Sequence, residues 1–421
     1  MASSKIFRLF YSDENTSNLN SELSSAAIGS MNWDELPLNS QLGDLGIQEG
    51  EALTAENIGG KLKDQWTQKG FTGVEGNFKI SVPKSSTNGF PTDILPSSFG
   101  IKNTITTPTT TIKIDSMSDS ETGLWVNADG AGDYADLNGY YFVEITDSAG
   151  ENPQKTVAGI FNNAILSGGN VMVFDNVSSL ETDSVVRILQ HFNLNSITSK
   201  YFHVLAYSPN GYCHLLQYCQ FTTDINLDEG SKLLEATVNI KGLSLNADNN
   251  ETAMQTALAL VVSSAPCLDH DVALVTNVNK VIKYDSSEVT QDQTSNVDFS
   301  ILTGNGLTQF KTEIKHEKAV LSGNTATNGK LAIDETSNSM KITLSCYDAT
   351  LEKDLRESYK TQEIFGLFVS DAEEELMYNF PKCRISGVSD AEDVDGLHTV
   401  SFTVESNQYC DNNYSYIEGL V

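Results

Sequence analysis

The sequence predicts a mainly β protein built as two tandem sandwich or barrel domains, each with one flanking α-helix. Three observations predict it. Short β-branched and aromatic runs alternate apolar with polar residues, turn-rich clusters such as Ser85-Ser86-Thr87-Asn88-Gly89 separate them, and one order of elements recurs in the two halves of the chain. A length of 421 residues exceeds one compact core and suits two domains of roughly 150–250 residues.

The opening run Lys5-Ile6-Phe7-Arg8-Leu9-Phe10-Tyr11 reads as a first strand, because its apolar stretch breaks too early for a signal peptide. Further strands are expected at 76–82, 111–115, 140–146, 202–207 and 236–243. The second half adds 272–275, 297–302, 340–347, 364–369, 375–380 and 397–405. Helices are few. The clearest is expected at 179–193, where Ser178 and Glu181 have capping-box spacing and Val185, Ile188, Leu189 and Phe192 form one apolar stripe. A second is expected at 351–362, with Thr350 as cap and Leu351, Leu355 and Tyr359 at i, i+4 and i+8.

These two helices hold the same place in similar halves. Asn77-Phe78-Lys79-Ile80-Ser81-Val82 precedes the first as Ser339-Met340-Lys341-Ile342-Thr343-Leu344 precedes the second. Tyr201-Phe202-His203-Val204-Leu205-Ala206 and then 215–221 follow the first; Ile364-Phe365-Gly366-Leu367-Phe368-Val369 and then 378–385 follow the second. Each half next passes an acidic turn, at 224–229 or 390–395, into a closing strand at 235–240 or 399–404. A tandem duplication accounts for this order. The expected domains are residues 1–250 and 251–421, the first carrying an inserted β-rich surface decoration at about 84–177.

Composition narrows the function. With 26 basic against 56 acidic residues the net charge is −30, which repels nucleic acid instead of binding it. No stretch reaches the ~18 apolar residues of a spanning helix, so no membrane partner is expected. Six cysteines, Cys213, Cys219, Cys267, Cys346, Cys383 and Cys410, form no CxxC pair and read as buried thiols of a chain folded in a reducing cytoplasm. No P-loop, dinucleotide fingerprint, His-Glu-x-x-His or Gly-x-Ser-x-Gly motif is present. The six histidines, His191, His203, His214, His270, His316 and His398, are scattered and read as structural. Adjacent residues Asp269-His270-Asp271 on a strand would point to alternate faces and could not share one ion. No catalytic, cofactor or metal residue is therefore assigned, and the chain is expected not to be an enzyme.

The N-terminal strand 6–11, Gly76-Asn77-Phe78-Lys79-Ile80-Ser81-Val82-Pro83, the expected helix near 185–192 and the hairpins around Cys219 and Cys383 together resemble the tail tube proteins of long, non-contractile phage tails, in particular the duplicated kind of T-five-like phages. Phe380-Pro381-Lys382-Cys383-Arg384-Ile385-Ser386-Gly387, leading to Thr399-Val400-Ser401-Phe402-Thr403-Val404, is similar to the closing hairpin of that family. The 84–177 segment departs from its pattern. The resemblance implies trimeric, pseudo-sixfold rings that stack head to tail into a hollow conduit in the virion tail. It also implies self-association as the main partnership, tape measure, tail tip and terminator proteins as further partners, and DNA passing an acidic lumen without specific binding. A β-rich phage or bacterial surface adhesin is the alternative reading, and a β-sheet glycosidase with a carboxylate pair a third.

Overall fold

The computed structural model describes residues 8–14, 24–35, 53–55, 66–68, 74–81, 101–103, 112–114, 116–117, 124–126, 138–163, 168–193, 201–207, 211, 213–225, 235–245, 252–264, 278–286, 298–322, 330–394, 397–406 and 414–417. They form a mainly β structure of three large antiparallel sheets.

The first sheet contains β1 (Arg8–Glu14), β2 (Asp34–Glu35), β5 (Val74–Ser81), β15 (Tyr201–Tyr207), β16 (Cys213–Ile225) and β17 (Glu235–Leu245). Its order is β2-β1-β15-β16-β17-β5. The second contains β18 (Lys280–Asp285), β19 (Phe299–Ile301), β20 (Leu307–Ser322), β21 (Lys330–Cys346), β22 (Phe365–Ser370), β23 (Leu376–Val394) and β24 (Leu397–Ser406), in the order β19-β18-β22-β23-β24-β21-β20. Five strands of each sheet, numbered by their order in the chain, thus lie as 1-3-4-5-2, and a short strand flanks the first of each set.

An inserted sheet, β7-β13-β10-β11-β12-β9-β8, joins β7 (Ile112–Lys113), β8 (Ser116–Met117), β9 (Leu124–Val126), β10 (Asn138–Thr146), β11 (Gln154–Asn163), β12 (Gly168–Val173) and β13 (Val185–Ile188). Smaller pieces are a β3 (Leu53–Ala55) and β4 (Trp66–Gln68) pair, and β6 (Ile101–Asn103), β14 (His191–Asn193) and β25 (Tyr414–Ile417), which attach to β23 through β25. The helices are α1 (Ser25–Ser30), α2 (Thr252–Ser264) and α3 (Ala349–Thr361).

Strand periodicity explains the layers. On β15, Phe202, Val204 and Ala206 enter one apolar cluster while Leu205 enters another; on β22, Phe365, Leu367 and Val369 separate from Phe368 in the same way. Both strands read as apolar runs because both of their faces are buried. The first face of each sheet contributes to one common core, joined by Leu351 and Leu355 of α3. The opposite face of the first sheet, with Phe10, Leu205 and Leu215, is covered by Ile28 and Trp33 and by Met254, Leu258 and Val261 of α2. The corresponding face of the second sheet, with Ile282, Tyr284, Phe368 and Met377, is covered by Tyr140, Phe142, Phe161, Met172 and Phe174 of the inserted sheet.

The expected helix at 179–193 does not form. Asp183 takes a positive φ of 71°, and 185–188 pair as β13 with β10. Val186 and Ile188 point inward while Arg187 points out to Glu144 at 2.8 Å, a two-residue period that the coincidental 3.6-residue stripe concealed. The supposed capping box serves neighbouring turns instead: Ser178 donates to Gln154, and Glu181 accepts from the backbone and hydroxyl of Ser148. The two halves therefore do not share a helix at that place. The inserted sheet stands between β5 and β15 where α3 stands between β21 and β22.

The second expected helix exists as α3, with two differences. Asp348, not Thr350, is its N-cap, its carboxylate accepting from the backbone N–H of Thr350 and Leu351, which also lowers its pKa. Ser358 completes the buried side with Leu351 and Leu355, while Tyr359 faces outward. The strands expected at 5–11, 76–82, 111–115, 140–146, 202–207, 236–243, 297–302, 340–347, 364–369, 375–380 and 397–405 coincide with β1, β5, β7, β10, β15, β17, β19, β21, β22, β23 and β24. Residues 272–275 lie outside the described residues, as do Asp269-His270-Asp271, Cys267 and Cys410.

Gly366 marks the tightest approach in this packing. A Cβ there would lie 2.0 Å from Cζ of Tyr284, whose ring stacks on Phe174 at 4.3 Å. Tyr284 is fully buried and its hydroxyl donates to Asn379 at 2.8 Å, so the ring has nowhere to retreat. Gly366→Ala is expected to cost about 2–3 kcal/mol by overpacking, read as a lower denaturant midpoint at unchanged slope.

Candidate assembly surface

The residues free to meet other molecules follow from what the layers leave uncovered. Strands β20, β21 and β23 run to 16, 17 and 19 residues, against a usual length of about 5–6. Only Lys341–Cys346 of β21 pair with β24; the rest of β21 pairs with β20 alone, its register placing Lys318 opposite Glu335 and Val320 opposite Ile333. The result is a two-stranded ribbon reaching beyond the sheet by roughly 35 Å at ~3.3 Å per residue. Its root is fixed, since β20 lies against β16 and Phe310 and Thr312 are buried there.

A second projection is the β23–β24 hairpin. The acidic stretch expected to be a turn at 390–395 is largely strand: β23 continues to Val394, with Asp393 opposite His398 and Val394 opposite Leu397. In the sequence, Asp395-Gly396 falls between these strands, and it is the pair of residue types that a two-residue hairpin favours. Likewise Asp224 belongs to β16, paired with Thr237.

Sheet edges are the third feature. Among the described residues no strand pairs with the outer side of β5 or of β20. The counterpart of β5 in the second sheet is β21, which does carry a further strand, β20. An open strand edge presents unpaired N–H and C=O groups to any strand that approaches it.

The inserted sheet is held by a polar seam as well as by apolar contact. Lys280 on β18 reaches Asp175 at 2.8 Å and Glu374 at 3.5 Å. Asp175 also accepts from the backbone N–H of Asn176, and Glu374 from that of Lys155. This insertion, expected as surface decoration, rests on the second sheet although it interrupts the sequence of the first.

The four cysteines among the described residues are not exposed at these surfaces. Cys213, Cys219, Cys346 and Cys383 are buried free thiols; burial pushes Cys213 and Cys346 up to about 11 and Cys383 higher still, so the nucleophilic thiolate is scarce at neutral pH. Among the described residues no group of His, Cys, Asp and Glu is arranged to hold a metal ion. No helix among them is long and apolar enough to cross a membrane. Among the described residues, the geometry defines a β-sheet protein with open strand edges and projecting hairpins.

No family model and no curated protein matches the sequence. Two similar solved structures are the virion of a native gene transfer agent particle and the tail of an empty gene transfer agent particle with C6 symmetry. The first has a TM-score of 0.23 and 15% identity, covering 31% of this chain and 91% of that one; the second has 0.22 and 14%, with the same coverage. Scores of this size carry no argument about function.

His191, at the start of β14 between the inserted sheet and β25, gives the fold a pH dependence. Its ring packs edge-on to Phe142, and burial lowers its pKa from 6.5 to about 4. The folded value lies below the unfolded one, so the unfolded chain binds the proton more tightly. The stability involved is complete above pH ~6.5 and lost as pH falls toward ~4, about 3 kcal/mol in all. In melts at about pH 7 and about pH 4.5, His191→Phe is expected to lessen the acid-induced fall in Tm.

Proposed function

We propose that this chain is a structural protein of a long phage tail, which stacks as rings into a hollow tube that conducts DNA. The observation that carries the reading is the paired sheet order 1-3-4-5-2, with an open edge at β5 and at β20 and a projecting ribbon on the second sheet. Two copies of one sheet in one chain form a pseudo-repeat, and a trimer of such chains closes as a pseudo-sixfold ring. The two units are proposed as residues 1–250 and 251–421, although α2, just beyond that boundary, packs on the first sheet.

In this reading the open edges join neighbouring copies, and the ribbon and the β23–β24 hairpin reach the next ring. Heterologous contacts of that kind grow into a filament. The role of the protein is passive and non-enzymatic. The net charge of −30 supports a lumen that repels phosphate and lets DNA pass. Tape measure, terminator and tail tip proteins are the proposed partners, the virion tail the proposed location, and the host cytoplasm the place of synthesis.

Electron microscopy of the full chain at rising concentration, with light scattering for its mass, tests this. Stacked rings or tubes with a channel wide enough for a duplex are expected. Replacing residues 316–336 by a short turn is expected to leave rings but abolish stacking. Channel-free particles at every concentration, or tubes undiminished without the ribbon, would contradict the conduit and the ribbon's role respectively.

A further inference from the structure

The two central sheets agree in more than strand order. Between β15 and β16 the ladder slips once, with Phe202 opposite Cys219 and Val204 opposite Leu216. Between β22 and β23 it slips once at the matching place, with Phe365 opposite Cys383 and Leu367 opposite Phe380. One extra residue on one strand is a specific local feature, and both sheets carry it beside a buried cysteine. From these anchors the ladders run in step. Cys219 lies opposite Gly242 as Cys383 lies opposite Ser406, and Ile240 opposite Gly76 as Val404 opposite Ile342. Strands β16 and β23 are therefore counterparts, and so are β5 and β21.

The correspondence reaches the β3–β4 hairpin. The displacement along the chain that carries Gly76 to Ile342 also carries Ala55 to Leu321 and Trp66 to Ala332, and Ala55 lies opposite Trp66 as Leu321 lies opposite Ala332. Thr54 opposite Thr67 matches Val320 opposite Ile333 in the same way. The β3–β4 hairpin thus stands to β5 as the far part of the ribbon stands to β21, and each half has an arm of its own.

The arm of the second half rests on the first half, because β20 lies against β16. Pairing of β16 with β15 ends at Cys219, and from Gln220 to Ile225 its ladder partner among the described residues is β17 alone. Strand β23 repeats this form. Its pairing with β22 ends at Cys383, and from Arg384 to Val394 its ladder partner among the described residues is β24 alone. Its main neighbours, β22, β24, β25 and α3, all belong to its own half.

We infer that β23, from Arg384 to Val394, receives the β5 side of a second copy of this chain, repeating between chains the contact that β20 makes on β16 within one. The occupant follows from the chain itself. Its halves offer like seats, β16 and β23, and like arms, and the seat on β16 is filled by the arm side of the other half. The seat on β23 and the arm side at β5 are the matching pair that a second copy completes. Such a contact is heterologous, so junctions within and between chains alternate around a closed ring. The inference rests on the tail-tube reading and names the junction that closes its rings.

Amide hydrogen exchange of the full chain, read by mass spectrometry in dilute monomer and in assembled protein, tests this. Amides of Arg384–Val394 and of β5 are expected to exchange at least about tenfold more slowly after assembly. Those of β16, against which β20 already lies in the monomer, are expected to change less than about twofold. Assembled protein in which Arg384–Val394 exchanges as it does in the monomer overturns this junction and leaves the tube reading standing. Equal slowing of β16 and β23 also overturns it, since the contact within one chain then forms only on assembly and is no pattern for the contact between chains. A chain that stays monomeric at every concentration overturns both the junction and the tube reading.

Discussion

The structure depends on burying both faces of its two central sheets. Strands β15 and β22 alternate between two apolar clusters along their length, so neither can be exposed on one side without leaving large side chains in water. One face of each sheet feeds the common core. The other needs a cover, and the two halves meet that need differently: α1 and α2 cover the first sheet and the inserted sheet covers the second. An apparent decoration thereby becomes a structural layer, because its removal would expose Ile282, Tyr284, Phe368 and Met377 together.

Polar groups at that layer fix its position. Apolar contact is tolerant of sliding, but the Lys280 ammonium between Asp175 and Glu374 tolerates one placement, and Asp175 is nearly inaccessible to water. A buried pair of this kind adds little net stability over an apolar substitute, yet separating its members leaves the buried Asp175 carboxylate with hydrogen bonds from Thr156 and Asn176 but no counter-charge from Lys280. The seam therefore acts on specificity: it joins a segment inserted in the first half to the sheet of the second.

With the faces covered, the proposed assembly has the open edges and the hairpins to use. In a small monomer such edges invite aggregation. Here they occur with a large negative charge, which opposes indiscriminate contact and favours the few places where backbone pairing or apolar burial outweighs repulsion. In the proposed tube, the same excess of carboxylates serves both selective contact between copies and the passage of DNA.

The sequence by itself determined the β class, most strand positions and α3, because alternation along a strand and a stripe along a helix are local consequences of which side faces a core. Local pattern failed at 179–193, where Val185, Ile188 and Leu189 fit a helical stripe while Val186 and Ile188 fit a strand; pairing with β10 decided for the strand. The acidic stretch at 390–395 reads as a turn from composition, yet β24 zips it into a hairpin as far as Val394. The tertiary structure alone decided the shared sheet order, the open edge of β5, the ribbon that outruns β24, and the docking of the inserted sheet on the second half. Each depends on which distant strand lies alongside, and hydrogen bonding between remote segments leaves no periodic signature in either one.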